Sequence, residues 1–166
     1  MKHKAILYGL VGVFIICLAL TVAYKVKGAK SPDENVLLKV ALYRTGTTHM
    51  AYCFALSPDG ILEASYGERK NDNLKSSKFL YAVSEDKSIR LSQADFEYLT
   101  ALFDEIENNA EMLEKEVVIW DGWEMLVYYN DTIYLINVES PLNFFPKLRD
   151  KLIEVSPIPV RLEHWE

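Results

Sequence analysis

A histidine and a cysteine four positions apart, His49 and Cys53, are the pair in this sequence best suited by type to nucleophilic chemistry, a base near a thiol. They lie in HMAYCFAL, which the SPDG turn after it makes a strand. A strand puts both side chains on one face but about 13 Å apart, whereas proton transfer needs about 3 Å. Cys53 therefore reads as a free structural cysteine. The three histidines, His3, His49 and His164, are scattered without HxH, HExxH or CxxC spacing, so no metal site is expected. RTGTTH has one glycine and no following GK, and no GxSxG elbow occurs. Between 104 and 116 six carboxylates cluster (Asp104, Glu105, Glu107, Glu111, Glu114, Glu116). They lack the glycine-containing loop that calcium ligation uses, and a solvated acidic helix face explains them. Carboxylate pairs for glycoside chemistry meet only in a fold, and no groove-building length surrounds these. The expectation is no catalytic, cofactor-binding or metal-ligating residue, no cofactor and no enzymatic activity.

The richest aromatic stretch is VVIWDGWEMLVYYNDTIYLINV, residues 117–138. Asp121-Gly122 is a strong two-residue hairpin signal and Asn130-Asp131 a moderate one. If both turns form, three strands make a meander in fixed register. Trp120 then faces Trp123, Val118 faces Met125, Val127 faces Tyr134 and Met125 faces Ile136. That apolar face should lie under helices. The reverse face holds Leu126, Tyr128, Ile133 and Leu135, with a polar end, Glu124 across from Asn137, that suggests partial exposure. Leu126, Tyr128, Ile133 and Leu135 are accordingly the candidate partner-binding residues, unless a strand, loop or terminus covers them. Trp120 and Trp123, which could frame a ligand at the sheet end, are weaker candidates because core packing accounts for them. The Asn130-Asp131-Thr132 sequon falls in a tight turn and carries no weight.

The remaining elements follow from period and punctuation. VLLKVALYR starts a strand with Val36, Leu38, Val40 and Leu42 on one face. SPDG predicts a type I turn with Gly60 in a bulge, setting Leu56 opposite Leu62 and Phe54 opposite Ala64. GERKNDNLKSSK, 67–78, predicts a mobile polar loop rather than a domain boundary, and FLYAVS a further strand. Ser92 caps a helix carrying Phe96, Leu99, Leu102, Phe103 and Ile106 at helical spacing, with Asp95 three residues after the cap. A last helix carries Phe145, Leu148, Leu152 and Val155, and Pro146 fits only its first turn. SPIPV, 156–160, must run extended. The sum is an α+β fold, an antiparallel sheet with two helices packed on one face.

Charge is distributed unevenly. All 24 acidic residues follow residue 30, against 13 of the 18 Lys and Arg, so residues 31–166 carry a formal −11. A domain this acidic repels phosphate backbones, which argues against nucleic-acid binding. Ahead of it, AILYGLVGVFIICLALTVAY is uncharged from Ala5 to Tyr24, twenty residues or about 30 Å of helix, one hydrocarbon core. The expected organisation is a basic head at 1–4, a transmembrane helix at 5–24, a juxtamembrane linker at 25–35 and an acidic α+β domain at 36–166. The apolar run is longer than a usual signal core, which favours an uncleaved signal anchor over a cleaved peptide at Thr21-Val22-Ala23. Flanking lysines are nearly balanced, and a short head followed by a folded domain favours export of the domain. A cytoplasmic domain tethered to the inner membrane face is the alternative.

Leu91-Ser92, Asp95-Phe96, Asp121-Gly122-Trp123, Tyr128-Tyr129-Asn130 and Ser156 to Val160 together resemble small membrane-anchored or lipoprotein-like proteins of Clostridia-type Gram-positive bacteria, over roughly residues 50–160. The resemblance implies a bacterial, membrane-associated setting. The shared pieces are mostly turns and caps, and the family carries no assigned activity and no catalytic residues to transfer. The expectation for function is a single-pass membrane protein whose extracytoplasmic domain binds or supports a cell-envelope partner without catalysis. The alternative is an envelope enzyme or enzyme inhibitor whose site only the fold assembles.

Overall fold

The computed structural model describes residues 36–46, 49–70, 73–76, 79–113 and 122–162. The basic head, the apolar run 5–24, the linker 25–35 and Trp120 lie outside the described residues. Among the described residues no helix is long and apolar enough to cross a membrane.

Among the described residues six strands and three α-helices succeed one another: β1 (Leu38–Arg44), β2 (Met50–Leu56), β3 (Ile61–Arg69), β4 (Leu80–Arg90), α1 (Gln93–Asn108), the short α2 (Ala110–Leu113), β5 (Trp123–Tyr129), β6 (Thr132–Asn137) and α3 (Phe144–Val155). The strands form one antiparallel sheet in the order β4-β3-β2-β1-β5-β6. The expected α+β class is therefore what the chain adopts.

Local chemistry sets the hairpins. Gly60 takes φ +80°, and its N–H donates to the Ser57 carbonyl at 3.0 Å while the Ser57 N–H donates to Ile61 at 2.9 Å. The resulting turn puts Leu56 opposite Leu62 and Phe54 opposite Ala64, the register the sequence predicts. Asn130 and Asp131 both take positive φ, 45° and 63°, as a two-residue turn matched to strand twist requires. Val127 then faces Tyr134 and Met125 faces Ile136. The expected meander is corrected on its other side. β5 lies between β6 and β1, with Arg44 opposite Trp123 and Leu38 opposite Tyr129, so both its edges are taken without residues 117–120.

Alternation along the strands separates two apolar layers. On one face Leu38, Val40, Leu42, Phe54, Leu56, Leu62, Met125, Val127 and Ile136 are buried against the helices. α1 contributes Leu99, Leu102, Phe103 and Ile106, and α3 contributes Phe144, Phe145, Leu148 and Leu152. Pro146 sits in the first turn of α3, where its missing N–H costs no helical bond. The extended tail after α3 also packs here, with Ile158 buried and the Arg161 N–H donating to the Tyr52 hydroxyl at 2.9 Å.

Ser92 caps α1 as expected, accepting the Asp95 N–H at 3.2 Å. Asp95 also receives the Lys151 ammonium from α3 at 2.5 Å, which ties the two helices together. That hydrogen bond, with one from Ser92, holds the Asp95 carboxyl below its usual range, and Asp95 in turn raises Lys151. A depressed carboxylate stabilises the fold above its unfolded pKa and loses that contribution as pH falls through the folded value. Asp95→Asn is therefore expected to lower the melting temperature at pH 7, with the deficit shrinking as pH falls from ~4 toward ~2. Melting curves of the full chain across that range test it, and a deficit constant with pH would refute the ion-pair account.

Candidate functional site

The second apolar layer lies on the sheet face away from the helices. Ala41, Tyr43, Ala51, Cys53 and Leu126 are buried there together with Leu74 and Phe79, and Leu80, Tyr128 and Leu135 border them. Leu74 and Phe79 come from the connection between β3 and β4, the stretch expected to be a mobile polar loop. Its described residues form a strap over the face instead. The strap starts where the Lys70 N–H donates to the Phe79 carbonyl at 2.8 Å. Lys39 reaches up to the Ser76 carbonyl at 3.3 Å, and Lys75 reaches across to the Asp131 carbonyl at 2.7 Å. The Lys75 ammonium lies 5.3 Å from the Tyr128 ring, and the Tyr128 hydroxyl donates to Asp131 at 2.8 Å.

This cover splits the four candidate partner-binding residues. Leu126 is buried, 9 % exposed, so it supports the layer and is not a contact surface. Tyr128 and Leu135 are half-buried at the end of the strap, and Ile133, paired with Tyr128, is 37 % exposed. Of the weaker pair, Trp123 is half-buried and packs against the helix-side core, and Trp120 lies outside the described residues.

The polar end of this face is also unlike its expectation. Glu124 and Asn137 are buried, at 7 % and 6 % exposure, where partial exposure was expected. A carboxylate this deep needs partners. The Tyr43 hydroxyl donates to Glu124 at 3.3 Å, and the Arg69 guanidinium stacks 4.0 Å from the Tyr43 ring. Asn137 is held by the next turn, its amide oxygen accepting the Glu139 N–H at 3.0 Å and its own N–H donating to Ser140 Oγ at 2.9 Å.

Cys53 lies at the centre of the layer between Ala41 and Ser65. Burial pushes its thiol up to about 11, against a smaller opposing pull from Lys39. His49 is exposed ahead of β2. A buried thiol with so little thiolate at neutral pH is a poor nucleophile, as a structural cysteine should be.

The acidic stretch is partly engaged in holding elements together. Asp104 accepts the Tyr129 hydroxyl at 2.6 Å, Glu107 accepts the Asn130 amide at 2.9 Å, and Glu105 lies 3.6 Å from Lys147 of α3. Hydrogen bonding to Asp104, with burial, pushes the Tyr129 phenol up to about 12. Among the described residues no group of three His, Cys, Asp or Glu side chains converges as a metal site would require.

What the sequence reading missed is the strap. Its signal was present: Leu74 is the lone apolar residue in ERKNDNLKSSK. No protein-family model, curated protein or solved structure matches this chain.

Proposed function

We propose that this is a single-pass membrane protein whose acidic α+β domain faces the outside of the membrane and docks a cell-envelope partner without catalysing a reaction. The twenty-residue uncharged run at 5–24 with lysines on both sides supports the anchor. The observation that carries the docking half is the open end of the strapped face, where Ile133 stands 37 % exposed beside half-buried Tyr128 and Leu135. An aromatic and two aliphatic side chains at the rim of a rigid sheet suit an apolar anchor residue from a partner.

Two measurements test the two halves. An alkaline phosphatase fusion at the C-terminus should be active in cells, and an inactive fusion would place the domain at the inner face and overturn the topology. A benzophenone side chain at position 133 in intact cells should give a discrete protein adduct. The same probe at exposed position 63, on another part of the sheet, should not. Equal labelling at both positions would remove the docking surface. Ile133→Asp should abolish partner capture and shift stability by less than about 0.5 kcal/mol, as surface substitutions do.

A further inference from the structure

Among the described residues β4 ends the sheet, with β3 on its inner edge and no strand on its outer one. It is the longest strand, eleven residues, and all but Leu80 and Glu85 are exposed. A free edge this long is a template for pairing unless it is blunted, and here only one half is. Register shifts at Tyr66/Gly67 and at Glu68/Arg69 disturb the pairing up to Glu85, whereas Glu85 to Arg90 pair one-to-one with Tyr66 to Ile61. The Leu91 N–H donates to the Gly60 carbonyl at 2.9 Å and sets the alternation of the ladder. Antiparallel geometry then turns the backbone N–H and C=O groups of Asp86, Ser88 and Arg90 outward.

We infer that a second copy of this chain adds antiparallel along the Asp86–Arg90 edge, with Ser88 facing Ser88 across a two-fold axis. The charge pattern selects that register. Centred on Ser88, Asp86 faces Arg90 of the other copy twice, and Lys87 faces Ile89 on the opposite side of the sheet. Centring on Lys87 sets two lysines face to face, and centring on Asp86 sets two aspartates face to face, both destabilising. Arg90 turns to the other copy by exchanging its two links to Asp59, a surface ion pair at 3.7 Å and a hydrogen bond to the Asp59 carbonyl at 2.6 Å, made by side chains that are 67 % and 57 % exposed. Asp86 accepts the hydroxyl of Ser65, its neighbour on β3, at 3.1 Å through one carboxylate oxygen, which does not neutralise its charge. The bulged half keeps the ladder short, so the contact is weak in dilute solution and gains from any tethering that raises local concentration.

A disulfide across the axis reads this out on the full chain in lipid vesicles, with Cys17→Ser leaving buried Cys53 as the one native thiol. Facing residues of a hydrogen-bonded antiparallel pair have Cα atoms about 5.5 Å apart, within disulfide range. Under mild oxidation Ser88→Cys should form dimers at least ~10-fold faster than Glu63→Cys or Ser84→Cys, an effective-concentration gain. Asp86→Arg and Arg90→Asp, added singly to Ser88→Cys, should each slow dimer formation, and together they should restore it, because the double change swaps both ion pairs. Ser88→Cys dimerising no faster than Glu63→Cys would overturn the inference. So would a double swap no better than either single.

Discussion

Leu74→Ala should make Cys53 reactive toward a thiol reagent while leaving the helix side of the sheet assembled. Leu74 is fully buried, and truncating a buried leucine costs about 2–5 kcal/mol. That cost falls on the strap first, because beside buried Phe79 its other described attachments are a few main-chain bonds and the lysine contacts at Ser76 and Asp131. In the parent chain Cys53 is 8 % exposed, with its thiol raised to about 11, so labelling at pH 8 must wait for the strap to open. Every 1.4 kcal/mol removed from an opening free energy is tenfold in the open population, so a loss of ~2 kcal/mol predicts roughly 30-fold faster labelling. The measurement is the labelling rate of the full chain in a Cys17→Ser background, with Ile133→Ala as the exposed control expected to leave it unchanged. Labelling of Leu74→Ala at the parent rate would mean that the strap is not what closes the face over Cys53.

That experiment also bears on the docking surface. Leu126 and Leu135 pair across β5 and β6, yet Leu126 is buried in the layer with Leu74 and Phe79 whereas Leu135 borders it half-buried. Opening the strap would lengthen the apolar surface from Ile133 and Leu135 inward to Leu126. Partner adducts at position 133 that increase in Leu74→Ala would mean the strap competes with the partner. Unchanged adducts would confine docking to the rim.

The parts of this fold legible in the sequence are those governed by neighbours in the chain. SPDG and Asn130-Asp131 fixed two registers because φ preferences of a few residues decide them. Ser92 marked the start of α1 for the same reason. Strand order was not legible. β5 pairs with β1, from which it is separated by three strands and two helices, and no local pattern encodes that choice. Residues 117–120 looked like the nearer partner only because a strong turn signal followed them. β4 was read too short since an edge exposed on both faces needs no apolar alternation, and SEDKSIR shows none. Leu74 is the opposite failure: one residue can anchor a segment, but periodicity needs several to be seen. Glu124 and Asn137 suggested solvent by their polarity. They are buried because Tyr43 and the turn at Ser140 supply partners from other elements, which only the fold brings together.

Gly67→Ala should be the most damaging single-methyl change in the described sheet, and its damage should be one-sided. Gly67 is buried in β3 opposite Val83, at the first bulge. A Cβ there would lie 2.2 Å from the Ala82 carbonyl oxygen and 2.9 Å from the Val83 Cα. Both are backbone atoms, so no rotamer change relieves the clash and β4 itself must move. Overpacking usually costs about 1–3 kcal/mol, and a contact this close against main chain belongs at or above the top of that range. The strand need not leave as a whole. Glu85 to Arg90 pair regularly with β3 and are secured beyond it by the Leu91 N–H to Gly60 carbonyl bond. Hydrogen exchange in Gly67→Ala should therefore accelerate at Leu80 to Val83 and stay near the parent rate from Glu85 to Arg90. Phe79 precedes the released half, so Cys53 labelling should rise as well, whereas a Ser88→Cys disulfide between copies should still form. Uniform acceleration along all of β4 would show that the bulge organises the whole edge, and a variant as stable as the parent would show that β4 can shift at no cost.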